Sequence, residues 1–240
     1  MIQVYADIEA LSLGAAGLFA DQARRAVEAR GRFAVLLAGG ETPRRTYELL
    51  STPRFRESIP WSAVHIFWGD ERSVPPDDRR SNALMARRAL LDHVPVPPKQ
   101  IHPIPWGGSP SDAAEEYEKL LRAFFAPAPP RFDLVFLGLG ENGHTASLFP
   151  GTAALKERER WVAEVYLAEE GLHRITLTAP AINQAVLAVF LVSGGGKAAM
   201  LQEVLEGTAD PFLIPSKLIK PEQGELLWLI DREAAGLLCR

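Results

Sequence analysis

An apolar run, Leu134-Val-Phe-Leu137, leads directly into Gly138, Gly140 and Gly143, and the next residue is His144. Glycines let a backbone turn tightly and approach a ligand closely. Binding sites in open α/β sheets gather at the carboxyl ends of strands. An unperturbed imidazole titrates at about 6.5, which suits a general base at neutral pH. The chemistry indicated is proton abstraction by His144. Nucleophilic attack by a side chain has less support. A nucleophile elbow around Ser193 needs glycine where Leu191 stands, and Cys239 has no patterned base near it. Of the other histidines, His65 lies inside a strand pattern and reads as a core residue. His93, His102 and His173 read as surface groups.

Three more loops share this placement. Ala38-Gly39-Gly40-Glu41-Thr42-Pro43 joins an apolar run to a helix start, with Thr42 expected as the N-cap and Pro43 at the first helical position. Free N–H groups and the positive helix end there suit a phosphate, although an ordinary strand-to-helix turn has the same composition. Phe67-Trp-Gly-Asp-Glu-Arg72 puts two carboxylates and a guanidinium on one loop. Arg72 there can grip a phosphate, oriented by Asp70 or Glu71; the plainer reading is a solvated ion pair. Val192-Ser-Gly-Gly-Gly-Lys197 opens a further helix with a lysine. It lacks the first glycine and the final Ser or Thr of a P-loop but remains a good anion site.

The glycines 138, 140 and 143 also satisfy G-x-G-x-x-G. A dinucleotide site needs a long helix after the third glycine, and Pro150-Gly151 interrupts too soon. No H-E-x-x-H or C-x-x-C pair supports a zinc site. The expectation is an enzyme without metal or other cofactor.

The elements that must position these loops alternate. A helical pattern through Leu11, Ala15, Phe19 and Ala26 ends at Gly31. Strand patterns cover Phe33–Leu37, Val64–Trp68, Leu134–Leu137, Trp161–Leu167, Arg174–Thr178, Ala185–Val192 and Leu226–Ile230, with another starting almost at Met1. Ser81 is expected to cap one helix, Ser111 another that runs to Phe125, and Lys197–Leu205 forms a third. Val94–Pro105 reads as a proline-rich connector. This alternation predicts an α/β fold: a doubly wound, mostly parallel sheet with helices on both faces, in one domain over residues 1–240.

Composition narrows the classes. The 240 residues carry 47% hydrophobic and 23% charged residues with a net charge of -4, so no general affinity for nucleic acid is expected. No apolar run approaches the roughly 20 residues of a membrane helix. The first residues lack the basic start of a signal peptide, and the single cysteine excludes an intrachain disulfide. A cytoplasmic protein is expected, with an anionic ligand met by a local cationic pocket.

Taken in order and spacing, five segments resemble the 6-phosphogluconolactonases. These are Leu37–Pro43, Trp68–Val74 with Ser81-Asn82, Gly138–Pro150, Arg174–Thr178 and Ser193–Lys197. The resemblance covers nearly the whole chain. It implies the fold shared with glucosamine-6-phosphate deaminases and ribose-5-phosphate isomerases, and a metal-free hydrolase of the oxidative pentose phosphate pathway. The implied substrate is a small sugar-phosphate lactone, acted on by a monomer or homodimer. By resemblance, His144 activates water. Arg72, Arg174 and Lys197 hold the phosphate with the Gly39, Gly40 and Thr42 loop; Asp70 and Asn142 complete the site. The family usually has aspartate two residues before the histidine, where Asn142 brings no charge. Two rivals stand beside this reading. Deaminases of this fold resemble G-x-G-x-D-G-H-I-A-F-N-E, and this chain has Phe149 in place of their glutamate. A sugar-phosphate-sensing domain of a regulator is the non-enzymatic alternative, but it comes with a DNA-binding segment for which the amino-terminal strand pattern leaves no room.

Overall fold

The computed structural model describes residues 1–239. The elements in chain order are β1 (Ile2–Tyr5), α1 (Ile8–Arg30), β2 (Phe33–Leu37), α2 (Glu41–Leu50), α3 (Pro53–Arg56), β3 (Val64–Trp68), β4 (Asp70–Arg72), α4 (Asn82–Ala86), β5 (Ile101–His102), α5 (Pro110–Phe125), β6 (Leu134–Leu137), β7 (Val162–Leu167), β8 (Leu172–Leu177), α6 (Ala179–Ile182), β9 (Leu187–Val192), α7 (Ala198–Leu205) and β10 (Glu225–Asp231). Gly31 ends α1 in the left-handed conformation (φ 73°), donating its N–H to Val27, as the sequence led us to expect.

Seven strands form one parallel sheet in the order β1-β10-β9-β6-β2-β3-β5. Every residue of β2, β6 and β9 is buried, so both faces of the central sheet are covered, as continuous apolar strands require. From β2 the chain moves outward through β3 to β5. It then returns to the other side of β2 as β6 and proceeds to β9 and β10. Strand order therefore reverses between β2 and β6, and a crevice opens at their carboxyl ends.

A second sheet, β4-β8-β7, is antiparallel. Asp70–Arg72, read from sequence as a loop, is its first strand. Gly69 makes the transfer between sheets: its N–H donates to Leu37 of β2 and its carbonyl accepts from Leu177 of β8. A Cβ there would press on Leu36.

Other boundaries also differ from expectation. Gly40, at φ 100°, caps α2 in place of Thr42, so Thr42 falls in the first turn and Pro43 beyond the first position. Ser109, not Ser111, caps α5, because Ser109 and Asp112 complete a capping box around Pro110. The connector Val94–Pro105 contains the short edge strand β5. There His102 is half-buried rather than a plain surface group, stacked on Phe67 (4.4 Å between ring centroids) and His65 (5.5 Å).

Two fully buried tyrosines fix the strand ends nearest the crevice. The Tyr47 hydroxyl accepts from the Ala38 N–H and donates to the Ala38 carbonyl, both at 2.9 Å. Tyr117 does the same to Trp68, at 3.0 and 3.1 Å. Each hydroxyl satisfies backbone groups at a point where the main-sheet pairing stops. Tyr117→Phe should lower stability by about 1–3 kcal/mol for each Trp68 backbone group left unpaired. Urea unfolding measures this as a lower midpoint at an unchanged slope.

Candidate active site

Four neighbouring strands, β9-β6-β2-β3, deliver the glycine loops and the charged segment to one cavity of about 710 Å³. Its wall includes every residue nominated from sequence: Gly39, Gly40, Thr42, Asp70, Arg72, Asn142, His144, Arg174 and Lys197. Among the described residues, no three His, Cys, Asp or Glu side chains converge as metal ligands. No helix among them is long and apolar enough to cross a membrane.

His144 is held on three sides. Asn142 Oδ1 accepts from the His144 backbone N–H at 3.2 Å and lies 2.6 Å from ring Nδ1. The backbone N–H identifies that atom as the oxygen, so Nδ1 is the protonated ring nitrogen and Nε2 carries the free lone pair. The Phe149 ring stacks on the imidazole at 4.0 Å and 23°. A Cβ on Gly140 would overlap the ring, so that glycine exists to let the histidine pack against the backbone. The base does not titrate near 6.5 as expected from sequence. Burial pulls it down to about 4; Asp70 opposes the shift, while Arg174 and Lys197 add to it. The imidazole is therefore neutral and available at pH 7.

Arg72 and Arg174 are directly opposite each other in the β4–β8 ladder. Like charges in that position repel, which makes sense if a third, anionic group joins them. Arg72 Nη1 donates to the Arg80 carbonyl at 2.7 Å and Asn82 Oδ1 at 3.0 Å. Arg174 Nη2 reaches Glu170 at 2.6 and 2.8 Å. The Nε of each guanidinium is buried without a partner. Lys197 ends a short 3-10 turn just before α7 and has only the exposed Glu141 near it, at 4.0 Å.

Neither carboxylate of the charged segment orients the Arg72 guanidinium as expected. Glu71 instead accepts from the backbone N–H groups of Arg72, Asn82 and Ala83 and from the Ser81 hydroxyl. Burial pushes its carboxyl up against those bonds. Its role is to fold the turn that carries Asn82. Asp70 accepts from Ser147 at 2.6 Å, and its Oδ2 lies 3.9 Å from Arg174 Nη1.

The sequence reading overlooked Asn82 as an Arg72 partner, as well as Ser147, Thr176 and Asp231. Asp231, at the end of β10, accepts from the Ser193 hydroxyl and the Gly194 and Ala234 N–H groups, which sets the turn before Lys197. Its position directly after the Leu226–Ile230 strand pattern was the available signal.

The family described as glucosamine-6-phosphate isomerases/6-phosphogluconolactonase matches residues 6–228. A 6-phosphogluconolactonase from Nostoc sp. is 42% identical over 241 residues, 99% of this chain and 98% of that protein. The structure of 6-phosphogluconolactonase from Trypanosoma brucei aligns with a TM-score of 0.88 at 30% identity, covering 100% of this chain and 98% of the other. A monomeric glucosamine-6-phosphate deaminase shares the fold at a TM-score of 0.84 and 23% identity, covering 98% and 99% of the two chains. The crevice at the strand reversal, the cavity-wall histidine and the two facing arginines thus occur in a chain that belongs to the glucosamine-6-phosphate isomerase/6-phosphogluconolactonase family.

Proposed function

We propose that this cavity hydrolyses 6-phospho-D-glucono-1,5-lactone to 6-phospho-D-gluconate, the lactonase step of the oxidative pentose phosphate pathway, with His144 as general base. The observation that carries the reading is the facing pair Arg72 and Arg174 in the wall of a cavity that also holds a neutral imidazole with free Nε2. Two of the relatives named above, those from Nostoc sp. and Trypanosoma brucei, are 6-phosphogluconolactonases, which supports the same chemistry.

Arg72, Arg174, Lys197 and the loop Gly39–Thr42 hold the phosphate. Binding at that remote group orients the lactone carbonyl. His144 Nε2 takes a proton from water, and the hydroxide adds to C1. The ring oxygen then leaves with the proton returned from Nε2. The phosphate also changes the base. Its negative charge offsets Arg174 and Lys197, both of which depress His144, so the imidazole becomes more basic when substrate is in place. Asn142 fixes the tautomer but adds no charge. Asp70 and, to a lesser extent, Glu170 are the carboxylates that favour the imidazolium.

The deaminase alternative needs a second acid/base group. Phe149 stands at that point and stacks on His144; an apolar ring carries no proton. We also read residues 1–240 as one domain, supported by a core cluster that includes residues from α1, both sheets and β10.

Removing the base by His144→Ala should slow catalysed hydrolysis by roughly 10²–10⁴-fold. The assay uses freshly generated lactone, with spontaneous hydrolysis subtracted and ammonia release from glucosamine 6-phosphate followed on the same preparation. Near wild-type turnover in the variant defeats the assignment of His144, and ammonia release without lactonase activity defeats the function. Lys197→Ala should weaken 6-phosphogluconate binding by about 1.5–3 kcal/mol, the worth of a hydrogen bond to a charged group, as read by titration calorimetry.

Protonation gives a separate check. NMR titration should place His144 well below 6.5, near about 4. The midpoint should rise on adding 6-phosphogluconate and also in Asn142→Asp, which puts a carboxylate beside Nδ1. His65 and His102 are lowered as well, both mainly by burial, His102 to about 4. In the window from 6.5 down to about 4, the unfolded chain binds more protons than the native one. Stability should therefore fall as pH falls through that window.

A further inference from the structure

The wall beside His144 holds a polar group with no assigned role. Thr145 is 1% exposed and lines the cavity, and its hydroxyl has no partner among the described residues. Ser147 pairs with Asp70 and Thr176 with the Leu177 carbonyl; the Ser216 hydroxyl, near Gly143, also lacks a partner among the described residues but does not line the cavity. A buried hydroxyl without a partner destabilises the fold. Here it belongs to a residue that lines the cavity next to the base.

The same turn is strained. Ala146, at φ 48°, is the only non-glycine residue with positive φ among those described. A Cβ is unfavourable there. The turn is held from both ends. Upstream, the His144 carbonyl accepts from Gly140 at 2.8 Å, and Asn142 fixes the ring. Downstream, Ser147 donates its N–H to Thr176 Oγ1 at 3.1 Å, and Leu148 closes the turn on the Thr145 carbonyl at 2.9 Å. Strain of this kind persists where the surroundings over-determine it, often at functional sites. Two glycine N–H groups of the loop before His144 are already taken. The Gly140 N–H is engaged with His144 and the Gly143 N–H with Gly140.

We propose that the Thr145 hydroxyl is a catalytic hydrogen-bond donor to the lactone carbonyl oxygen as that oxygen becomes an oxyanion. The proposal rests on the lactonase reading. His144 Nε2 takes a proton from water, and the resulting hydroxide pair forms the bond to C1. The carbonyl π pair moves onto its oxygen, to which Thr145 donates while keeping its own proton. On collapse that pair re-forms the carbonyl, the bond from C1 to the ring oxygen breaks, and the ring oxygen takes the proton from Nε2. A hydroxyl that is unpartnered beforehand and gains its strongest acceptor as charge develops stabilises the transition state more than the ground state.

The test is steady-state lactone hydrolysis by Thr145→Val and Thr145→Ser, beside thermal unfolding and calorimetric binding of 6-phosphogluconate. Thr145→Val removes the hydroxyl at constant shape. It should lower kcat by about 10²–10³-fold, the usual cost of one oxyanion donor. Product affinity should stay near wild type and Tm equal or higher, since an unpaired buried hydroxyl is gone. Thr145→Ser should retain most of kcat. Wild-type kcat in Thr145→Val overturns the proposal, as does a lowered Tm with a kcat loss that Thr145→Ser shares. If Thr145→Val does not fold, Thr145→Ser against Thr145→Ala isolates the hydroxyl: a large gap in kcat supports the proposal and equal rates overturn it. A wild-type protein without lactonase activity overturns the lactonase reading itself, whereas an active wild type with an unimpaired Thr145→Val overturns only the role of Thr145.

Discussion

The buried carboxylate of Asp70 ties the site together. It begins β4 one residue after β3 ends, at the junction of the parallel and antiparallel sheets. One of its oxygens accepts from Ser147, three residues beyond His144, and that same oxygen faces Arg174 on β8. The Asp70 carbonyl accepts from Asn82, which in turn holds Arg72. The base loop, the α4 turn and the second sheet therefore share one anchor. A buried charge is costly unless paired and hydrogen-bonded, and the three partners drawn to Asp70 are groups the chemistry needs close together.

The same economy gathers cations in one cavity of a chain of net charge -4. Cations concentrate where burial and geometry leave them under-paired. Arg72 opposes Arg174 across a ladder, and each Nε lacks a partner. Glu71 sits close enough in sequence to neutralise Arg72, yet its carboxylate is occupied by backbone N–H groups of the α4 turn. An acidic residue is thus turned into scaffold and does not neutralise the guanidinium beside it. The base beside them is affected too: burial, with Arg174 and Lys197 adding to it, pulls His144 down to about 4.

Phe149 packs directly against the base. Its ring stacks on the imidazole and also lies 5.7 Å from the Arg174 guanidinium carbon. It places an apolar ring against the base. One base with a fixed tautomer and a water suffices for lactone hydrolysis, whereas ring opening and amine transfer need more.

Much of this was legible in the chain itself. Continuous apolar runs bounded by glycine specify buried parallel strands, and β2, β3, β6 and β9 fall where those runs lie. Sites at strand ends follow from the alternation, so His144, Arg72 and Lys197 could be nominated from local pattern. Local pattern does not report long-range pairing. Asp70–Arg72 reads as a charged loop because its partner strand is about a hundred residues away, and three polar residues have no strand periodicity of their own. The cap of α2 moved from Thr42 to Gly40 because a positive φ is invisible in composition. The depressed His144 titration comes from burial and from charges brought in by other elements. The unpartnered Thr145 hydroxyl and the strained Ala146 exist only because anchors distant in sequence, Thr176 and Asp70, hold the following residue in place. Sequence determined which segments end in chemistry; tertiary structure decided which of those ends meet, and in what protonation state.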